Sequence, residues 1–174
     1  MKVAIVKYNA GNVQSLTFAL NRLGVEPVLS DDPAFLQSAD KVIFPGQGEA
    51  SSAMRSLKEK GLDEVLRNLH QPFLGVCLGM QLMCESSEEN DTDCLGIIPQ
   101  KVVRFDSRDV KVPHMGWNDI HGLKSPIMTD IKEGDYLYFV HSYYVPVCDE
   151  TIATAAYPQA FSAALNKGNY YAIQ

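Results

Sequence analysis

The sequence predicts an α/β fold, an open and mostly parallel sheet flanked by helices, with a hairpin-rich C-terminal half. Three observations carry that expectation. Through residue 86, short apolar runs rich in β-branched residues alternate with stripes of helical period. Glycine and proline punctuate the junctions between them. Beyond residue 86 the helical stripes give way to closely spaced strand-like runs.

Each element follows from its residues. "KVAIVKY" (2–8) is an apolar run that reads as a buried strand. After the turn "NAGN", Val13, Leu16, Ala19, Leu20 and Leu23 share one helical face, and Gly24 stands where a helix ends. "VEPVL" (25–29) is a second strand, and Pro27 restricts it to an edge or a strand end. "KVIF" (41–44) is a third, ended by "PGQG". A helical stretch from about Ala50 to Leu69 breaks at Gly61. "PFLGV" (72–76) is a fourth strand, and "LGMQLMCES" after it reads as a helix. "SSEENDTD" (86–93) reads as a solvated surface excursion. The runs "KVVRF", "DYLYFVHSYYVPV", "TIATAAY" and "FSAALNKGNYYAI" complete the chain, the last with a hairpin turn at Asn166–Asn169. Residues 1–174 read as one domain without repeats or a linker.

Composition excludes several classes. The 174 residues carry a formal net charge of −6 and no Lys/Arg run, which argues against a nucleic-acid partner. No segment approaches the roughly 20 apolar residues of a membrane helix, and the N-terminus lacks the pattern of a signal peptide, so a cytoplasmic protein is expected. The four cysteines form no C-x-x-C pair, and H-E-x-x-H is absent. Free thiols, no metal and no cofactor are therefore expected.

Gly75-Val76-Cys77-Leu78-Gly79 is G-x-C-x-G, the cysteine counterpart of a nucleophile elbow. Strand and helix crowd together at such a turn, so the flanking positions must be small. The turn also puts the thiol at a helix N-terminus, whose dipole favours the thiolate. The peptide N–H of Leu78 then faces a developing oxyanion. The rival reading is a buried structural cysteine. "PGQG" (45–48) follows a parallel neighbour, at the sheet edge where ligand sites form, and offers a second donor from Gln47 or Gly48. A plain Pro-Gly turn competes with that reading. A phosphate loop fits poorly, because the third glycine and a Walker lysine are missing. A thiol nucleophile needs a base. Among His70, His114, His121 and His141, none clearly completes a dyad.

"PGQG", "GVCLGMQLM", "VPHMGWN" and "YFVHSYY", in that order and spacing, resemble the glutaminase subunits of imidazole glycerol phosphate synthase. Those subunits are a branch of the class I (triad) glutamine amidotransferases. The likeness runs from "NAGNVQSL" to the last residue. It implies hydrolysis of glutamine to glutamate and ammonia, with ammonia passing to a (β/α)8-barrel cyclase partner in histidine biosynthesis. It also implies Cys77 as nucleophile, and Leu78 with Gln47 and Gly48 of "PGQG" as the oxyanion hole. Gly46, Gln81, Ser142 and Tyr143 would bind substrate glutamine. Asn12 of the "NAGN" loop, His114, Trp117, Asn118 and Tyr138 would face the cyclase.

Three departures stand out. Gln47 replaces a common valine, "KYNAGN" lacks the usual first glycine, and the sequence ends at Gln174, where the resemblance implies "FHPE" with the catalytic His and Glu. The polypeptide as given is therefore expected to have almost no glutaminase activity, since general acid–base assistance is worth ~10²–10⁴-fold. It is also expected to expose an apolar strip of sheet. Two other readings compete: a cysteine enzyme acting on another amide or ester, and a non-catalytic module that docks on a barrel partner.

Overall fold

The structure is a computed structural model that describes residues 1–9, 12–108 and 110–174. Ala10 and Gly11 of the "NAGN" turn lie outside the described residues. β1 (Val3–Val6) is buried along its whole length, as a strand covered on both faces must be. α1 (Val13–Arg22) starts at Asn12, whose side chain accepts from the Ser15 N–H. Gly24, at φ +74°, lets the chain turn away after it. β2 (Val28–Ser30) follows Pro27 and lies at the sheet edge. α2 (Pro33–Ser38), capped by Asp32, is a short helix that the sequence reading omits. β3 (Lys41–Phe44) leads into "PGQG". The expected helical stretch is two helices, α3 (Ala50–Glu59) and α4 (Leu62–Arg67), parted at Gly61 with φ +64°.

β4 (Phe73–Val76) runs into α5 (Leu78–Leu82), which has five residues instead of the longer helix expected. Cys84 is already in β5 (Cys84–Ser87). The "SSEENDTD" segment is likewise no free excursion. It ends β5, turns, and forms β6 (Thr92–Asp93), two residues antiparallel to β5. Then come β7 (Ile98–Arg104), β8 (His114–Asp119), a 3-10 turn at Pro126–Met128, and β9 (Tyr136–His141). β10 (Tyr143–Tyr144), β11 (Thr151–Ala156), β12 (Ala160–Lys167) and β13 (Tyr170–Ile173) complete the order. The single run read at "DYLYFVHSYYVPV" is thus split at Ser142 between two sheets.

The main sheet has seven strands in the order β11-β12-β13-β4-β3-β1-β2. From β2 to β13 the pairs are parallel, and β12 and β11 add an antiparallel margin. β7 joins β5, β6 and β10 in a smaller sheet, while β8 and β9 form a two-stranded ribbon. Phe44, Phe73 and Tyr170 stack in series across the main sheet, with centroids 5.8 and 5.3 Å apart. They anchor a core against α3 and α4. No helix among the described residues is long and apolar enough to cross a membrane. The parallel strands bring Pro45–Gly48, Cys77 and Gln174 out at one carboxyl edge.

Candidate active site

Cys77 sits between β4 and α5 at φ 53°, ψ −111°. A non-glycine residue there costs of order 1–3 kcal/mol, and it persists only where its surroundings over-determine it. The surroundings do so. The Cys77 N–H donates to the Ile173 carbonyl at 2.8 Å, so β13 holds the turn from the side. The three glycines nearby are steric necessities. A Cβ on Gly79 would enter the Phe44 carbonyl, one on Gly75 would enter the Met83 sulfur, and one on Gly46 would lie 2.6 Å from Leu78 Cβ. The end of β3 therefore presses directly on the start of α5. Tyr8, buried just beyond β1, donates its hydroxyl to the Pro45 carbonyl at 2.5 Å and pins the "PGQG" segment from beneath.

One cavity of about 260 Å³ is lined by Gln47, Gly48, Cys77, Leu78, Gln81, Ser142 and Tyr143, together with Glu89 and His141. It is smaller than a drug-sized pocket and suits a single amino acid. Gly46 is not among its lining residues. Its lack of a side chain serves the contact with α5, and it lines a neighbouring cavity that also reaches Gln47 and Cys77.

Gln81 is buried, and its amide nitrogen donates to the Tyr143 carbonyl at 3.0 Å and to Gln174 Oε1 at 2.9 Å. Gln174 in turn donates to Cys77 Sγ at 3.5 Å. Glu89 is the residue missed by reading 86–93 as a solvated loop. Its carboxylate accepts from the Ala50 N–H at 2.8 Å. It thereby ties the β5–β6 turn to α3 and brings an anionic group to the cavity. Only its place three residues before the "TDC" that returns to the core hinted at this.

The electrostatics run against one expectation. Burial pushes the Cys77 thiol up, and the Leu78 N–H and the Gln174 amide only partly offset it. A helix of five residues supplies little dipole, so desolvation wins. Burial, with Glu49 beside it, also raises the Glu89 carboxyl, while the Ala50 N–H pulls it down. Tyr8 is raised by burial and by the nearby Cys77 sulfur, so its hydroxyl remains a donor. Gln174, the side chain bonded to Sγ, is a donor and no base.

The residues expected to face a partner divide into two groups. Trp117 and Tyr138 are cross-strand partners on the outer face of the β8–β9 ribbon, 69% and 54% exposed, with Met115 and Val140 beside them. Asn12 is exposed at the start of α1. His114 is instead buried at 4% exposure, because alternation along β8 turns it inward. Asn118 is turned the same way, and its amide donates to the Ala156 carbonyl at 2.8 Å. His141, at the end of β9, bonds the Tyr143 carbonyl and His114.

A family model described as "Glutamine amidotransferase class-I" matches residues 4–174. A Bacteroides thetaiotaomicron protein named "Imidazole glycerol phosphate synthase subunit HisH" is 57% identical over 176 residues, covering 100% of this chain and 90% of its own. The Bacteroides fragilis protein of the same name is 56% identical with the same coverage. A crystal structure of a glutamine amidotransferase superposes with a TM-score of 0.77 at 16% identity, over 99% of this chain and 88% of that one. That last likeness concerns the fold alone.

Proposed function

Because this chain belongs to the class-I glutamine amidotransferase family, we propose that it is the glutaminase subunit of an imidazole glycerol phosphate synthase. It hydrolyses glutamine to glutamate and ammonia and delivers the ammonia to a cyclase partner. The observation that carries this reading is a cysteine on a strained elbow, in a cavity sized for one amino acid, with a carboxylate on the wall.

Glutamine enters with its carboxamide toward Cys77 and its α-ammonium toward Glu89, the complementary charge. Ser142 and Tyr143 receive the remainder of the amino-acid end. The Cys77 thiolate adds to the carboxamide carbon, and the electron pair of the C=O moves onto oxygen. The Leu78 N–H, with an N–H from Gln47 or Gly48, stabilises that oxyanion. Collapse breaks the C–N bond. The nitrogen gains a proton and leaves as ammonia, and a thioester remains on Sγ. Water adds to the thioester, expels the thiolate and releases glutamate.

The step that residues 1–174 serve least well is removal of the thiol proton, because Cys77 is raised by burial and its described side-chain partner is an amide. Turnover by residues 1–174 alone is therefore slow. A His- and Glu-bearing segment, as the sequence resemblance implies, would accelerate it ~10²–10⁴-fold.

The exposed Met115–Val140 and Trp117–Tyr138 pairs form the seat of the cyclase, as aromatic side chains do in the centre of many interfaces. Docking without turnover is the second reading, carried by the same exposed face of the β8–β9 ribbon.

The deciding experiment incubates the protein with glutamine, with and without the cyclase. It reads glutamate release and the intact mass of the protein, alongside Cys77→Ala. Glutamate release or a glutamyl adduct lost in Cys77→Ala is the expected result. Cyclase binding with neither signal would replace the glutaminase by the docking module.

A further inference from the structure

His114 and His141 are buried titratable groups that this mechanism leaves without a role. They are cross-strand partners on β8 and β9, 4% and 6% exposed. His141 Nδ1 lies 2.8 Å from the Tyr143 carbonyl oxygen, and His141 Nε2 lies 3.2 Å from His114 Nδ1. A carbonyl oxygen only accepts, so His141 carries its proton on Nδ1. Its Nε2 is then the acceptor, and His114 must donate from Nδ1. One contact thus fixes the tautomer of both rings.

The cage around them holds the rings in place and keeps them neutral. His114 lies between Tyr157 and Phe139, nearly parallel to both, with centroids 4.0 and 5.3 Å away. Phe105 and Phe161 pack on His141 at 5.3 and 5.1 Å. Besides the two histidines, the cage holds two tyrosines: Tyr157, stacked on His114, and Tyr144, stacked on Phe105 at 4.4 Å. Burial lowers both imidazoles, His141 to about 4, with His114 adding to the effect on its partner. Both are uncharged at neutral pH.

The Tyr143 carbonyl is a junction. It accepts from His141 on one side and from Gln81 on the other, and Gln81 continues through Gln174 to Cys77 Sγ. A continuous line of hydrogen bonds therefore joins the ribbon to the nucleophile.

We infer that His114 and His141 are a positioning pair: locked as two Nδ1–H tautomers, they fix the Tyr143 carbonyl and with it the Gln81–Ser142–Tyr143 wall on which the substrate's amino-acid end rests. This deepens the glutaminase reading and depends on it for the identity of the ligand. The rival is that the rings only fill volume. The two differ at position 141. Asparagine keeps a donor close to the place of Nδ1 but is small, whereas leucine keeps the volume and has no donor.

Two measurements on the full chain test the pair. Long-range 1H–15N correlation spectra of the labelled protein at pH 7 read the tautomers directly, and both rings are expected as Nδ1–H. The half-saturating glutamine concentration is then compared in His141→Asn and His141→Leu, using the adduct or glutamate signal, with circular dichroism confirming that both fold. The leucine variant is expected to need about tenfold more glutamine, and asparagine to recover most of that loss. An Nε2–H tautomer on His141, or leucine outperforming asparagine, overturns the pair. A wild-type protein indifferent to glutamine but showing both Nδ1–H tautomers discards the glutaminase reading and keeps the locked histidines.

Discussion

Replacing Gly79 by alanine sets two effects of opposite sign against each other. Alanine is the better helix former by about 1 kcal/mol, so propensity alone makes Gly79→Ala a stabilising change in α5. Sterics oppose it. The added Cβ would overlap the Phe44 carbonyl oxygen, with the carbonyl carbon 3.0 Å away and the ring 3.5 Å away. The obstacle is main chain at Phe44, the fully buried end of β3, so no side chain can rotate aside. Relief requires α5 to shift bodily from β3, carrying Cys77 with it.

Overpacking of this kind costs typically ~1–3 kcal/mol, and a backbone obstacle belongs at the upper end. After the helix gain is subtracted, the net loss is about 2 kcal/mol, or roughly 4–8 °C in Tm for a domain of this size. Thermal and urea unfolding of Gly79→Ala measure it, and the adduct signal at Cys77 should fall in the same variant. A Tm equal to or above that of the wild type would refute the reasoning, because it would show the contact between β3 and α5 to be loose.

Three further changes probe other parts of the site. Tyr8→Phe leaves the buried Pro45 carbonyl without its hydroxyl donor; urea unfolding should register a loss of about 1–3 kcal/mol, and an unchanged midpoint would deny the pin under "PGQG". Trp117→Ala removes a 69%-exposed side chain, so unfolding free energy should stay within about 0.5 kcal/mol. Its affinity for the cyclase, followed by surface plasmon resonance, should drop tenfold or more; equal affinity would move the interface elsewhere. His141 is lowered to about 4 in the fold from an ordinary 6.5, so the folded state binds fewer protons than the unfolded state between those values. Its contribution is full above pH 6.5 and is lost as pH falls toward 4, about 2 kcal/mol of it by pH 5. His141→Asn should flatten that limb of the stability curve, and an unchanged slope would place the titration in other groups.

What was legible in the sequence tracks which contacts are local. β1, β3 and β4 read clearly because strands in the middle of a parallel sheet carry nearly continuous apolar runs. The elbow read clearly because G-x-C-x-G is contiguous in the chain, although the obstacle that forces Gly79 is the Phe44 carbonyl on the neighbouring strand. β8 escaped notice for the opposite reason. Its outward face carries Met115 and Trp117 while its inward face carries His114, Gly116 and Asn118, so the usual alternation is inverted. Glu89 was hidden because its partner, the Ala50 N–H, lies 39 residues away in sequence. The helix after Cys77 was overextended because "MCES" has helical composition, and the pairing of Cys84 with Ile98 overrides it. α2 is six residues long, too short to show a period.

The place of β13 in the main sheet has a consequence for how the molecule comes into being. Val76 pairs with Ile173, and the Cys77 N–H is held by the Ile173 carbonyl. Until β13 arrives, β4 has an open edge and nothing fixes the strained turn from that side. Closing so long a loop carries an entropy penalty before any contact repays it, and topologies of this kind fold slowly. On the ribosome, the first half of the sheet can assemble while the elbow is still slack. The nucleophile is therefore shaped late, by a strand made nearly a hundred residues after it, and a half-made chain carries an unset thiol instead of a competent one.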